Sequence, residues 1–221
     1  MSDPTPTRMP YKANTAARPV NGRWEFAHAL LFTGHMIDQP KRKEERFPAW
    51  AESRAHRAIH AAIAGLQWTQ PGATIGLAGG ASGGDLLFHE CCRELGIPTR
   101  LLLALPPDEF ESISVAPAGP QWVKRFRMLL ERSGDALRVM QRDDGQLEEA
   151  SGNIWQCANL WMIEEANRLA PERALLALWD GKVGDGPGGT EHFLQVARRF
   201  GIRILPLIEM RTVLRAEDKS G

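Results

Sequence analysis

The stretch TIGLAGGASGGDLLFHECCRELGIPTRLLLAL, residues 74–105, decides the fold class. Its first five residues are short, apolar and β-compatible, and they stop in glycines, as a buried strand does. From Gly83 the apolar positions Leu87, Phe88, Cys91, Cys92 and Leu95 return every three or four residues, the stripe of an amphipathic helix. Gly96 and Pro98 then close that helix, and residues 100–105 form a second continuous apolar run. A strand, a glycine-rich turn, a helix and another strand make one parallel crossover unit.

The same alternation extends in both directions. Residues 27–32 are an apolar run punctuated by Thr33 and Gly34, followed by a charged loop at 41–46 and a helical stripe through Ala55, Ala58, Ile59, Ala62, Ile63 and Leu66. Downstream, residues 106–119 are expected as a long connection that covers the site, and Trp122, Phe126, Leu129 and Leu130 mark the next helix. A weak strand at 136–140, a long helix from Asn153, a strand at 174–179, a helix around Phe193 and Val196, and a strand at 202–208 complete the series. This predicts an α/β fold: a single Rossmann-like domain over 23–210, with a mostly parallel sheet of about six strands and helices on both faces. Residues 1–22, with four prolines and no apolar periodicity, read as a flexible tail, and 211–221 as a loose C-terminal tail.

Composition narrows the function. The 27 basic residues balance 27 acidic ones, so no net field draws the chain to nucleic acid or anionic lipid. No stretch approaches the roughly 18 uninterrupted apolar residues of a membrane span. Three cysteines, two of them adjacent, and no secretory pattern at the N-terminus give a cytoplasmic expectation. The cysteines lack metal-ligand spacing, and neither a metal nor a cofactor is expected.

In an open parallel sheet, ligands bind beyond the carboxyl ends of the strands. The segment Gly76 to Asp85 holds five glycines in ten residues at a helix mouth, which lets backbone N–H groups of Gly79, Gly80, Ser82, Gly83 and Gly84 approach an anion. The plainer reading is a tight turn beneath a closely packed helix. Known phosphate fingerprints fail here: no Gly-x-Gly-x-x-Gly is present, and although Gly79 and Gly84 have the Walker spacing, Asp85 and Leu86 stand where lysine and a hydroxyl residue belong. Asp85 accepts from a ribose hydroxyl or caps the helix; the sequence leaves both open. A second loop, Asp180 to Glu191, is also glycine-rich and again runs from a strand into a helix, placing Asp180, Gly188, Gly189, Thr190 and Glu191 at the same edge. Thr33, Gly34 and His35 end the first strand there. His35 either contacts the ligand or bonds a backbone carbonyl.

These residues resemble the SLOG superfamily, the Rossmann-like domains that include the LOG phosphoribohydrolases and DprA-type proteins, over residues 27–208. The likeness rests on Phe32-Thr33-Gly34-His35-Met36-Ile37-Asp38 with Arg46-Phe47-Pro48, similar to a bacterial SLOG subgroup attached to signalling domains, on Gly79 to Asp85, and on Pro187-Gly188-Gly189-Thr190-Glu191. The resemblance implies a nucleotide-type small-molecule ligand, a sensing or N-glycoside-cleaving role, and a homodimer built through helices. In the LOG pattern the glutamate stands three residues after the threonine; here that position is Phe193, and Glu191 follows Thr190 directly. A shift of two helical positions turns a side chain to nearly the opposite face, so the ligand loop carries over better than the hydrolytic acid. Three readings follow: binding or sensing of a nucleotide-derived ligand; an N-glycoside hydrolase or transferase, LOG-like or deoxyribosyltransferase-like, using Asp85 or Glu191; and a protein-interaction module.

Overall fold

The computed structural model describes residues 23–66, 68, 72–141, 153–182 and 188–215. Among these residues seven strands form one sheet, and all the strand pairings described are parallel. They are β1 (His28–Gly34), β2 (Thr74–Ala78), β3 (Thr99–Leu103), β4 (Leu137–Val139), β5 (Glu172–Trp179), β6 (Arg203–Ile204) and β7 (Ile208–Glu209). The order is β4-β3-β2-β1-β5-β6, with β7 also pairing β5. His28 pairs with Thr74 on one side and Glu172 on the other, so β1 is the central strand.

Alternation along each strand feeds two cores, one per face. Leu30, Phe32, Leu101, Leu103 and Leu176 meet α1 (Glu52–Ala64), α2 (Gly84–Glu94), α4 (Pro120–Ser133) and α7 (Met210–Arg215). Their neighbours Ala29, Leu31, Leu77, Leu175 and Ala177 meet α5 (Ile154–Leu169) and α6 (Thr190–Arg199). Phe88 stacks on Phe32 at 4.8 Å between ring centroids, which seats α2 on β1. Among the described residues no helix is long and apolar enough to cross a membrane.

Three expectations need correction. The connection after β3 is ordered: Pro107 opens α3 (Pro107–Ser114), proline being favoured in the first turn of a helix. The expected last strand splits in two around Pro206, which has no N–H to give a ladder. Residues 211–215 belong to α7, whose Met210 and Val213 are buried, rather than to a tail. The expected N-terminal tail lies outside the described residues.

The order of strands positions the site. From β1 the chain steps outward through β2 and β3 to β4, then crosses back to β5 on the other side of β1. The carboxyl ends of β1 and β5 therefore flank the topological switch point, where a crevice opens because the connecting segments leave in opposite directions.

Candidate functional site

A cavity of about 470 Å³ occupies that crevice. This lies within the range of roughly 300–1,000 Å³ found for small-molecule pockets. Thr33, Gly34 and His35 line it from the end of β1, Gly79, Ala81 and Asp85 from the first glycine-rich segment, and Gly188, Gly189 and Thr190 from the second. Both loops thus share one cleft. Phe110 of α3, Trp155 of α5 and Trp179 of β5 add flat apolar walls, and Met36 and Ile113 stand exposed at its mouth.

The first loop is divided in its work. Gly80, Ser82, Gly83 and Gly84 are buried and do not line the cleft. A Cβ on Gly80 would lie 2.8 Å from the Phe126 ring, and one on Gly84 would lie 3.1 Å from Gly34 Cα. Gly83 has φ +102° and bridges Met36 in antiparallel fashion. Around it Gly84 N–H donates to His35 O at 2.9 Å, Ile37 N–H to Ser82 O at 3.0 Å and Ser82 N–H to Ser114 O at 3.0 Å. These glycines and amides sew α2, the exit of β1 and the end of α3 together. Only Gly79, Ala81 and Asp85 face the cleft.

Asp85 opens α2 and turns its carboxylate back on its own loop, accepting from Ala81 N–H at 3.3 Å. Burial against apolar neighbours raises its carboxyl to about 7, and the Ala81 bond only partly offsets this. The mouth of α2 is therefore occupied by its own acid.

The mouth of α6 is different. Its N-cap is Gly189, and the first-turn N–H groups of Thr190, Glu191 and His192 have no intrahelical partner. Thr33 and Thr190 bring their hydroxyls within 3.5 Å. Gly188 takes φ +87° and presses on the start of α5, where an added Cβ would lie 2.4 Å from Trp155 Cβ. Asn159 holds it there, donating from Nδ2 to Gly188 O at 2.9 Å. Glu191 faces away: it accepts from Gln195 Nε2 at 3.3 Å on the exposed side and does not line the cleft. Of the two acids proposed for catalysis, Asp85 alone is at the cavity.

At the switch point itself three charged groups interlock. Arg46 donates from Nε and Nη2 to the two oxygens of Asp180 at 2.8 and 2.9 Å, a bidentate pair with both side chains nearly buried. Lys182 N–H adds 2.9 Å to Asp180 Oδ1, and Arg46 N–H and Phe47 N–H each donate to Asp38 Oδ2 at 2.9 Å. Burial lowers His35, against the pull of Asp180, so at neutral pH its Nε2 accepts Asp180 N–H at 3.1 Å. On protonation the same nitrogen, also 3.1 Å from Asp180 Oδ1, becomes a donor to that carboxylate. Desolvation would raise Asp180, but the Arg46 and Lys182 hydrogen bonds and the nearby charges hold it well below the usual carboxylate range. Its folded value is depressed, so its stabilisation is complete above the unfolded carboxylate value of about 4 and is lost as pH falls below it. Acid titration of the folded chain should show this limb below about pH 4, and Asp180→Asn should lack it.

Sequence reasoning missed Arg46 as the partner of Asp180, and Trp155 and Asn159 as the supports of the second loop. The residues at 183–187 of that loop lie outside the described residues. Among the described residues no group of three or more histidine, cysteine, aspartate or glutamate side chains is placed to hold a metal ion.

No family model matches this sequence, and no curated protein matches it. Among solved structures, DNA processing protein A (DprA) from Streptococcus pneumoniae is similar at 11% identity and a TM-score of 0.35, over 86% of this chain and 61% of that one. The present chain thus spans less than two thirds of that protein's length. The α/β assignment stands on the parallel sheet itself.

Proposed function

We propose that the cleft binds a nucleotide-derived small molecule and that the chain acts as a binding or sensing domain. The observation that carries this reading is the convergence of both glycine-rich segments on one crevice at the switch point, with the open first turn of α6 as the anion-facing wall. Trp155, Phe110 and Trp179 offer flat surfaces of the kind a base stacks on. The two lining arginines are already engaged, Arg46 by Asp180 and Arg42 by Asp38 at 3.4 Å, so recognition of a phosphate falls to the backbone N–H groups of α6. The SLOG resemblance points to the same ligand class.

A ligand at 100 times its dissociation constant stabilises the folded state by about 2.7 kcal/mol. For a chain of this size that raises the melting temperature by roughly 5–11 °C. In a panel of nucleotides, ADP-ribose derivatives, cyclic nucleotides and plain sugars, at least one phosphate-bearing nucleoside should give this rise, and sugars alone should not. Gly189→Val should abolish it. Gly189 has φ −69°, a backbone angle open to any residue, so a branched side chain blocks the approach to α6 without backbone strain; an unchanged melting temperature of the variant without ligand checks that it folds. A flat response across the panel, with nothing bound after purification, sinks the reading.

A second reading is favoured by Asp85, an acid in the cleft whose carboxyl stands near 7 and can hold or release a proton at neutral pH. In an N-glycosidase it would assist as water adds to the anomeric carbon, the N-glycosidic bond breaks and the base departs with a proton. The binding reading predicts no hydrolysis of nucleoside monophosphates or NAD above background. Turnover that vanishes in Asp85→Asn would establish the enzyme instead.

A further inference from the structure

A second cavity, of about 270 Å³, lies on the far side of α2, where α2 and α4 both end beside the start of β3. Leu86, Ile97 and Leu129 give it an apolar lining, and Thr99 and Ser133 add hydroxyls. His89 separates it from the main cleft. Burial lowers that ring to about 4, so it is neutral, and its nitrogens sit 3.0 Å from Gly79 O and 3.0 Å from Thr99 Oγ1.

The cations of this cavity differ in how they are used. Arg125 is spent on Glu90 and Glu52 and lies over the Trp122 ring. Arg93 and Arg132, in the last turns of α2 and α4, have neither an ion pair nor a hydrogen bond of their side chains among the described residues. Closing the helix ends does not require them. Gly96 N–H bonds Arg93 O at 3.1 Å and Ile97 N–H bonds Cys92 O at 2.8 Å, while Ser133 Oγ donates to Leu129 O at 2.7 Å. Two guanidinium forks from two different helices, both lining one apolar concavity, match a tetrahedral dianion better than a single carboxylate.

We propose that this cavity is a second ligand site, for a small phosphate monoester carrying an apolar body. The phosphate bridges Arg93 and Arg132, and the apolar part lies against Ile97 and Leu129. The site is independent of the nucleotide cleft. Calorimetric titration of the full chain with phenyl phosphate tests it. Saturable binding is expected, tighter than for inorganic phosphate, weakened about tenfold or more by Arg93→Gln or Arg132→Gln and unchanged by Gly189→Val. Both arginines are exposed, so these variants keep the fold. Absence of saturable binding overturns the proposal. So does binding that Gly189→Val removes and the arginine variants retain, since that places phenyl phosphate in the main cleft.

Discussion

Gly83→Ala is expected to cost about 4 kcal/mol or more, placing it among the most damaging single substitutions a domain of this size tolerates. At φ +102° and ψ −124° the backbone is in a region open to glycine. A Cβ there would lie 2.5 Å from Ile37 N and 2.8 Å from His35 O, both backbone atoms that cannot swing aside. Relief requires parting the Met36–Gly83 bridge, and with it the seam between α2 and the exit of β1. Gly96→Ala is the control. Gly96 has φ +69° but nothing within 4 Å of the added carbon, so only the left-handed strain of about 1–2 kcal/mol applies. Urea unfolding of the two variants checks the difference, and equal costs would show that the loop is not a packed hub.

Asp85→Asn should act in the opposite direction and stabilise the chain. A carboxyl raised from its ordinary value to about 7 costs nothing below about pH 4, where it is protonated folded and unfolded alike. As pH rises from about 4 to 7, the unfolded state ionises while the folded state holds its proton, and stability falls by about 2–4 kcal/mol. Asparagine removes that loss. Above pH 7 the variant should melt higher by roughly 2–4 °C per kcal/mol, and its stability should no longer decline between about pH 4 and 7. An unchanged slope would mean that Asp85 ionises normally in the cleft.

The strands were legible because both faces of this sheet are covered, which turns β1, β3 and β5 into unbroken apolar runs such as Leu101–Leu103 and Ala174–Leu178. α3 was hidden by Pro106 and Pro107, which mark a turn as readily as a helix start, and by acids that suit either. The edge where the cavity opens was legible too, since Thr33 to His35 close β1 and Asp85 and Gly188 to Thr190 stand in the segments after β2 and β5. What the pattern could not separate was a glycine facing a ligand from one facing a ring. Gly80 and Gly84 are small for the sake of Phe126 and Gly34, whereas Gly79 borders the cleft, and nothing in their spacing tells them apart. The Arg46–Asp180 pair was beyond reach for another reason: its members lie 134 residues apart and meet only when β5 returns beside β1.

The central claim, a nucleotide-derived ligand in the crevice between β1 and β5, is tested most directly by assigning the backbone amide and tryptophan indole resonances. The phosphate-bearing nucleoside that gives the largest thermal shift is then titrated in. The account predicts the strongest perturbations at Thr190, Glu191 and His192 in the first turn of α6, at His35 and Ala81 around the cleft, and at the indole of Trp155. Perturbations that leave these residues still, whether confined to the cavity between α2 and α4 or scattered over the surface, would contradict it.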